Sequence, residues 1–545
     1  MKRTAAILLV LLMLFGAVSC AVQDATVPEE TPDVRTQTKE ETTTDTETKP
    51  TVTSEDGEHV HRPSPGKNYC LTCGEILKKN EKAYKGMIYF SSDDKTLTEA
   101  YKIALKDVTG NVKDYKAGAL KESAPCLMAG AAYGTPWTRD AAINVSNAYA
   151  LLDREVSKNT LLSVLKRGGT GYVIDGQYWD CIIWAIGAYA YVTVSGDNEF
   201  AVLAEKALSY TLKKLEREEF DETDGLFRGP AVYGDGIAAY PDQYTITGYS
   251  GIEGWPGQPE NKDRRVKPGF GIPMKALSTN CVYYRAYQIY AAILERNGKD
   301  PGKPLLKAAA LREAINKAFW NEEKGTYDYL AYECDYQEAL GISFALLFDV
   351  ADERQKALVV KNAQITDNGI ACVWPCYERY LALGGYGRHS GTVWPHAQGF
   401  WARAAFASGD VAEFENELYL LAGKAVRDRQ FYEIYHPDTG EPYGGLQGGG
   451  TDEIHLWTSC EHQTWSATAY LSLIYYDLLG VRYTDGEATF KPYLPTGVNE
   501  AVISGMKIGN TTFDIVIERG GQGQKEITVD TDKEETVLLR LAANG

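Results

Sequence analysis

The sequence predicts an all-α body, a closed (α/α)6 toroid of six helical hairpins, with a small C-terminal β-sheet appendage. Three observations carry that expectation. From about Lys85 to Leu479, long stretches of helical period follow one another, joined by Gly-, Pro- and aromatic-rich loops. The turns repeat as well: Ser195-Gly196-Asp197 and Ser408-Gly409-Asp410 each give a glycine suited to a helix C-terminus, then an Asp able to cap the next helix. After Gly480 the pattern switches to short β-branched runs between Gly, Asn and Pro turns.

The chain of 545 residues opens on Lys2 and Arg3, an apolar run from Ile7 to Phe15, and Ala17-Val18-Ser19-Cys20. This is signal-peptide grammar, and the apolar run is short for a membrane span. Residues 1–20 resemble a bacterial lipoprotein signal, which implies lipidation at Cys20 and an extracytoplasmic, cell-surface or periplasmic location. Ala17 stands where leucine is commonest, so plain cleavage is the alternative. Residues 21–84 read as a flexible stalk. From Val22 to about Pro65 they are Thr, Glu, Asp and Pro with hardly an aromatic, too little apolar surface to offset ordering entropy. Within them Cys70 and Cys73, with His59 and His61 upstream, fit a small zinc knuckle, a local disulfide or two free thiols. Ten cysteines in so long a chain are no disulfide scaffold, and Cys181, Cys281 and Cys372, among apolar neighbours, read as core residues.

Residues 85–480 form the expected toroid. Phe200, Leu203, Ala207, Leu208, Thr211, Leu212 and Leu215 recur at threes and fours, one face of one helix. About twelve such segments occur, near 95–107, 139–153, 156–167, 177–194, 198–218, 273–297, 303–320, 336–349, 352–363, 394–408, 411–428 and 461–479. Twelve helices in hairpins suit six inner and six outer helices; an α-solenoid is the alternative, but no short fixed repeat supports it. The long loops, 219–272, 364–393 and 429–460, are where chemistry is expected. Residues 481–545 carry the runs 488–490, 501–503, 512–517 and 537–541, a small β domain.

The hydrophobic fraction of 44% is ample for a core. A formal net charge of −18 argues against nucleic acid, whose binding needs clustered Lys and Arg. A neutral substrate such as a sugar is compatible with it. Two long loops place acids among glycines and aromatics: Asp224 to Gly236, and Tyr432 to Gly440. Glycoside hydrolysis needs such a pair, one carboxyl to protonate the leaving oxygen and one to activate water or attack. A turn or cap role explains any single one of these carboxylates equally well.

Four motifs carry a resemblance. Pro136-Trp137-Thr138-Arg139-Asp140 is similar to the Trp-x-Arg-Asp signature of six-hairpin (α/α)6 glycosidases, among them family-63 α-glucosidases, trehalases and glycogen-debranching glucosidases. Glu433-Ile434-Tyr435-His436-Pro437-Asp438-Thr439-Gly440 resembles the Glu-Asn-Tyr-x-Pro-x-Thr-Gly segment of family 63. Gly391-Thr392-Val393-Trp394-Pro395-His396 resembles their Gly-x-x-Trp-Pro segment, and Gln463-Thr464-Trp465-Ser466-Ala467 the opening of their last helix. The ordered set spans about residues 90–480. The resemblance implies Glu433 as general base. It implies an acid near Tyr233-Gly234-Asp235-Gly236, where family 63 has Ser-Gly-x-Asp-Asp; Asp235 is the choice, with Asp242 and Asp224 as rivals. Arg139 and Asp140 would bind sugar hydroxyls, and Trp137, Trp179, Trp394, His396 and Trp465 would line the pocket. Glu461 is a second candidate base, or a helix-start carboxylate.

The resemblance further implies an exo-acting, inverting hydrolase of oligo- or polysaccharides, α-glucosidase-like, with carboxyls roughly 6.5–9.5 Å apart and an acid of raised pKa. No cofactor or catalytic metal is expected, and membrane contact only through the lipid anchor. Two other classes stay open. A glycan-binding lipoprotein that has lost catalysis would hydrolyse nothing. A toroid polysaccharide lyase would yield an unsaturated product; few Lys and Arg in these loops disfavour it, although Arg228 and Arg388 keep it open. Architecture alone does not choose the sugar.

Overall fold

The computed structural model describes residues 69–70, 75–76, 86–168, 171–176, 178–234, 236–245, 274–449, 452–484 and 486–543, with only the backbone of 178, 179, 449 and 452. Cys20, His59, His61 and Cys73 lie outside them. Strand β1 (Tyr89–Ser92) precedes the helices α1 (Lys95–Gly110), α2 (Thr138–Asn144), α3 (Arg154–Ser163) and α4 (Trp184–Ser195). Helices α5 (Asn198–Glu218), α6 (Leu277–Arg296), α7 (Gly302–Phe319) and α8 (Ala339–Leu347) follow. The toroid ends with α9 (Glu353–Asn362), α10 (Pro395–Ala407), α11 (Val411–Asp428) and α12 (Thr464–Ser472). A hairpin, β2 (Leu446–Gly449) and β3 (Asp452–Leu456), stands between α11 and α12.

The even-numbered helices form a closed inner ring: α2 packs on α4, α4 on α6, α6 on α8, α8 on α10, α10 on α12, and α12 back on α2. The odd-numbered helices form the outer layer. Helix α5 buries Phe200, Ala204, Ala207, Leu208, Thr211, Leu212 and Leu215 and leaves its other face polar. The inner helices are covered on every side, so α8 is buried from Ala339 to Leu346 and needs no polar face. Two inner contacts are made through glycine. A Cβ on Gly187 of α4 would lie 2.8 Å from the Cα of Ala142 in α2, and one on Gly399 of α10 would lie 2.8 Å from the Cβ of Ala469 in α12.

The expected punctuation is present. Gly196 ends α4 in the left-handed region and Asp197 accepts from the Phe200 amide at 2.9 Å; Asp410 accepts from Glu413 at 3.0 Å. Two boundaries differ by four residues, and the first is that the segment expected from 273 becomes helical only at Leu277. The helix expected to 167 stops at Ser163, because Leu165–Gly168 pairs with Gly171–Ile174 as a two-stranded ribbon. Helices α2 and α12 also run on into π turns over Val145–Tyr149 and Leu473–Leu478.

After the toroid come β4 (Val481–Thr484), β5 (Glu487–Phe490), β6 (Glu500–Ile508), β7 (Thr511–Arg519), β8 (Ile527–Asp530) and β9 (Thr536–Ala543). Strands β4, β5 and β8 form one sheet, while β1, β6, β7 and β9 form another in that order. Strand β1 pairs antiparallel with β6, Tyr89 opposite Ser504 and Ser92 opposite Ala501. The appendage therefore takes in a strand from before the first helix. No helix of the described residues is long and apolar enough to cross a membrane.

Candidate active site

The two rings begin at opposite ends, because each inner helix returns through an outer one. Outer helices α1, α3, α5, α9 and α11 start on an Asp whose side chain accepts from their first turn: Asp94, Asp153, Asp197, Asp352 and Asp410. Inner helices α2, α6, α8 and α10 start on Trp137, Ala276, Glu338 and Trp394 with no side-chain cap bond. The first amides of α6 and α8 are held within the protein instead: Leu277 N donates to the Tyr329 carbonyl at 3.0 Å, Ser278 N to Glu338 at 3.2 Å and Ala339 N to the Cys372 carbonyl at 2.9 Å.

Glu433 sits in the mouth of the ring, 3% exposed. Its Oε1 accepts from the Tyr133 hydroxyl at 3.0 Å and from Gln463 Nε2 at 3.1 Å. Its Oε2 accepts from Arg388 Nη2 at 2.6 Å, and Arg388 Nη1 donates to the Gly444 carbonyl at 3.0 Å. The Arg388 guanidinium lies 5.3 Å from the Trp394 ring and 5.6 Å from the Trp457 ring. The backbone around Glu433 is pinned from several sides. Its amide donates to the Cys460 carbonyl at 2.9 Å, and Gln463 N donates to the Phe431 carbonyl at 2.8 Å. Asp107, buried on α1, accepts from Phe431 N at 2.7 Å and pairs with His462 Nδ1 at 2.7 Å. Burial, then the charge of Glu433, keeps the Tyr133 phenol protonated, with Arg388 and Asp140 also acting on it. The start of α2 thus shares the electrostatic neighbourhood of Glu433.

Of the expected binding residues, Asp140 is buried and its carboxylate lies 3.9 Å from Arg139 Nε. His396 is wholly buried; its ring stacks on Trp465 with centroids 4.2 Å apart and meets the Tyr233 ring edge-on at 4.6 Å. Among the described residues neither His396 nitrogen has a hydrogen-bond partner, nor has Trp465 Nε1. Burial, aided by His389 and Arg139, pushes His396 well below the usual histidine range, so it is neutral near pH 7. Trp394 is buried 5.8 Å from Trp465 and donates to the Arg388 carbonyl at 2.7 Å. Trp137 is half-exposed. Glu461 is exposed and accepts from the Tyr432 hydroxyl at 3.1 Å. The side chain of Trp179 lies outside the described residues.

Asp235 also lies outside them, between Gly234 and Gly236, which are described. A Cβ on Gly236 would come 2.4 Å from Gln447 Oε1 on β2, and the next residue back, Leu446, accepts from Arg388 N at 2.8 Å. Gly236 therefore abuts the strand that flanks Arg388. The rival acids are engaged elsewhere. Asp224 Oδ2 accepts from Lys275 Nζ at 2.6 Å, and the 77%-exposed Asp242 carboxylate pairs with Arg379 at 2.6 Å. Arg228 is bound to Asp221 and Arg388 to Glu433, so both cations that kept a lyase in view are committed to carboxylates.

Sequence reasoning missed Tyr133, Gln463 and Glu338. Glu338, at the start of α8, is buried and accepts from Ser278 N at 3.2 Å; burial pushes its carboxyl up to about 8. Its only sequence signal was a lone acid before an apolar helix. No group of three or more His, Cys, Asp or Glu side chains among the described residues could hold a metal ion.

The family model of the mannosylglycerate hydrolase MGH1-like glycoside hydrolase domain matches residues 180–466, from the start of the α4 segment to that of α12. The chain belongs to this family. The six-hairpin glycosidase resemblance is thereby established for this MGH1-like chain, and the (α/α)6 toroid and the sheet after it are seen in the structure itself. No curated protein matches it. Among solved structures, a sialidase superposes with a TM-score of 0.60 at 14% identity, over 82% of this chain and 41% of that one. The glucose complex of the family-63 mannosylglycerate hydrolase from Thermus thermophilus gives 0.50 at 16% identity, over 68% and 98%. The MGH1-like chain thus spans about two fifths of the sialidase. At such identities both likenesses speak for the fold.

Proposed function

We propose that this protein is an inverting, exo-acting glycoside hydrolase of α-linked oligo- or polysaccharides, with α-glucosidase-like activity. The observation that carries the reading is Glu433, a buried carboxylate at the ring mouth fixed by Arg388, Tyr133 and Gln463. A carboxylate offers about four acceptor directions. Two on Oε1 and one on Oε2 are filled, which leaves one on Oε2 for a water. Glu433 takes a proton from that water as it attacks the anomeric carbon, and Asp235 protonates the leaving oxygen from the opposite face. Arg139 and Asp140 hold the sugar being cleaved, and the packed rings of Trp394, His396 and Trp465 form the wall behind it. The glucose bound in the Thermus thermophilus structure agrees with a hexose there.

The test is a hydrolysis screen on α-glucosides, α-mannosides and α-rhamnosides, with the anomer of the first product read by NMR. Wild type should release the inverted sugar, and Asp235→Asn and Glu433→Gln should not. An unsaturated product, or no turnover of any glycoside, refutes the reading. The proposal includes export and anchoring through Cys20, so labelled palmitate should enter the wild type and not Cys20→Ser.

A further inference from the structure

Trp457 is 45% exposed although it lies against the guanidinium that holds Glu433. It follows β3 directly and is tied to the hairpin base by its amide, which donates to the Gly445 carbonyl at 3.0 Å. His455, two residues earlier, is exposed as well. Residues two apart on a strand share a face. Their rings lie 5.5 Å apart at 28°, one aromatic strip open to solvent. Its inner end is one guanidinium away from the buried Trp394 ring.

The register of the hairpin gives the strip a side. His455 pairs directly with Gln447, so both project from the same face. Gln447 Oε1 is the atom that a Cβ on Gly236 would crowd at 2.4 Å. The face bearing the strip therefore abuts the Gly236 side of the mouth, while Arg388 ties its inner end to Glu433. In an inverting hydrolysis the departing sugar leaves toward the proton donor, the role proposed above for the residue that precedes Gly236 in the sequence.

We propose that His455 and Trp457 form a platform for the pyranose ring on the leaving-group side of the cleaved bond. This rests on the hydrolase reading above and adds the place where the second sugar sits. Indole is well suited to the role, because its electron-rich face meets the C–H face of a pyranose while its N–H still reaches a hydroxyl.

The experiment is calorimetric titration of Glu433→Gln protein, which holds substrate uncut, with and without Trp457→Ala. The probes are methyl α-D-glucoside and methyl α-D-mannoside against the α-linked disaccharides and trisaccharides of the same sugars. Trp457→Ala should weaken the disaccharides about 5- to 10-fold, the size expected of one aromatic contact. That loss should exceed the loss for the methyl glycosides at least several-fold, and Trp457→Phe should restore most of it. Equal losses for both classes would mean that Trp457 only props Arg388, and they overturn the proposal. So do no loss at all, or no binding of any of these sugars. Because the readout is binding, absence of turnover in the wild type counts against the hydrolase reading separately.

Discussion

Replacing Glu433 by Gln is the sharpest perturbation of this site, and its cost divides into two parts. The amide has the same volume, so the loop that carries it keeps its bonds to Cys460 and Ser459. If the amide oxygen stays with Arg388 Nη2, its NH2 turns toward Tyr133 and Gln463. The Tyr133 hydroxyl can rotate and accept. Gln463 Nε2 cannot, because its amide is oriented by Oε1, which accepts from Thr464 N at 2.9 Å. One donor thus faces a donor, a mismatch of about 1–3 kcal/mol. Arg388, only 11% exposed, also loses its countercharge. Full removal of a buried partner costs about 3–5 kcal/mol, and the remaining neutral acceptor brings this to the low end. The total is of the order of 4 kcal/mol of stability, read by denaturant titration. Catalysis should fall further. A lost general base costs about 10²–10⁴ in rate, up to ~5 kcal/mol of barrier. The assay is kcat on whichever glycoside the screen identifies. If kcat stays within ten-fold of wild type in a folded variant, Glu433 does not activate the water.

Three further predictions concern the ring and its buried groups. Gly187→Ala gains helix propensity, yet its Cβ would meet Ala142 backbone at 2.8 Å, so we expect a net loss of about 1–3 kcal/mol by denaturant titration. Glu338 has a folded pKa raised to about 8 from 4.5 by burial, so its contribution is full below about pH 4.5 and lost as pH rises toward 8. Glu338→Gln should therefore flatten the fall of Tm between pH 5 and 8, and an unchanged slope counts against a buried protonated acid. His396 is shifted the other way: wild type should lose stability as pH drops below about 6.5, because the unfolded histidine takes up a proton that the buried one refuses. His396→Phe keeps the stack on Trp465, should raise Tm at pH 5 relative to pH 7.5, and should raise KM if the imidazole binds the sugar.

The toroid was legible because its signals are local. A glycine and an Asp three residues from a helix amide declare a hairpin turn within one window, and Asp197 and Asp410 both cap as expected. The four motifs around Trp137, Trp394, Glu433 and Gln463 were legible because each marks the start of an inner helix or the loop beside it. What was hidden depends on distance along the chain. Tyr133 lies 300 residues from Glu433 and Arg388 lies 45 away, so only closure of the ring shows that both donate to one carboxylate. Gln463 stood inside a quoted motif, but its role follows from a bond across 30 residues. The strand at Tyr89–Ser92 is four residues long and too short for its period to stand out.

That short strand has a consequence for synthesis. The ring shuts when α12 meets α2, and the sheet that follows takes its fourth member from ahead of α1. The beginning and the end of the toroid are thus buckled together by a clasp whose second half leaves the ribosome only after the whole ring has been made. Until Glu500–Ile508 has emerged, Tyr89–Ser92 is an unpaired ribbon edge, the kind of surface on which nascent chains stick to one another. Chains cut short near Gly480 should accordingly aggregate rather than persist as bare rings, and supplying the missing strands in trans would be the way to rescue them.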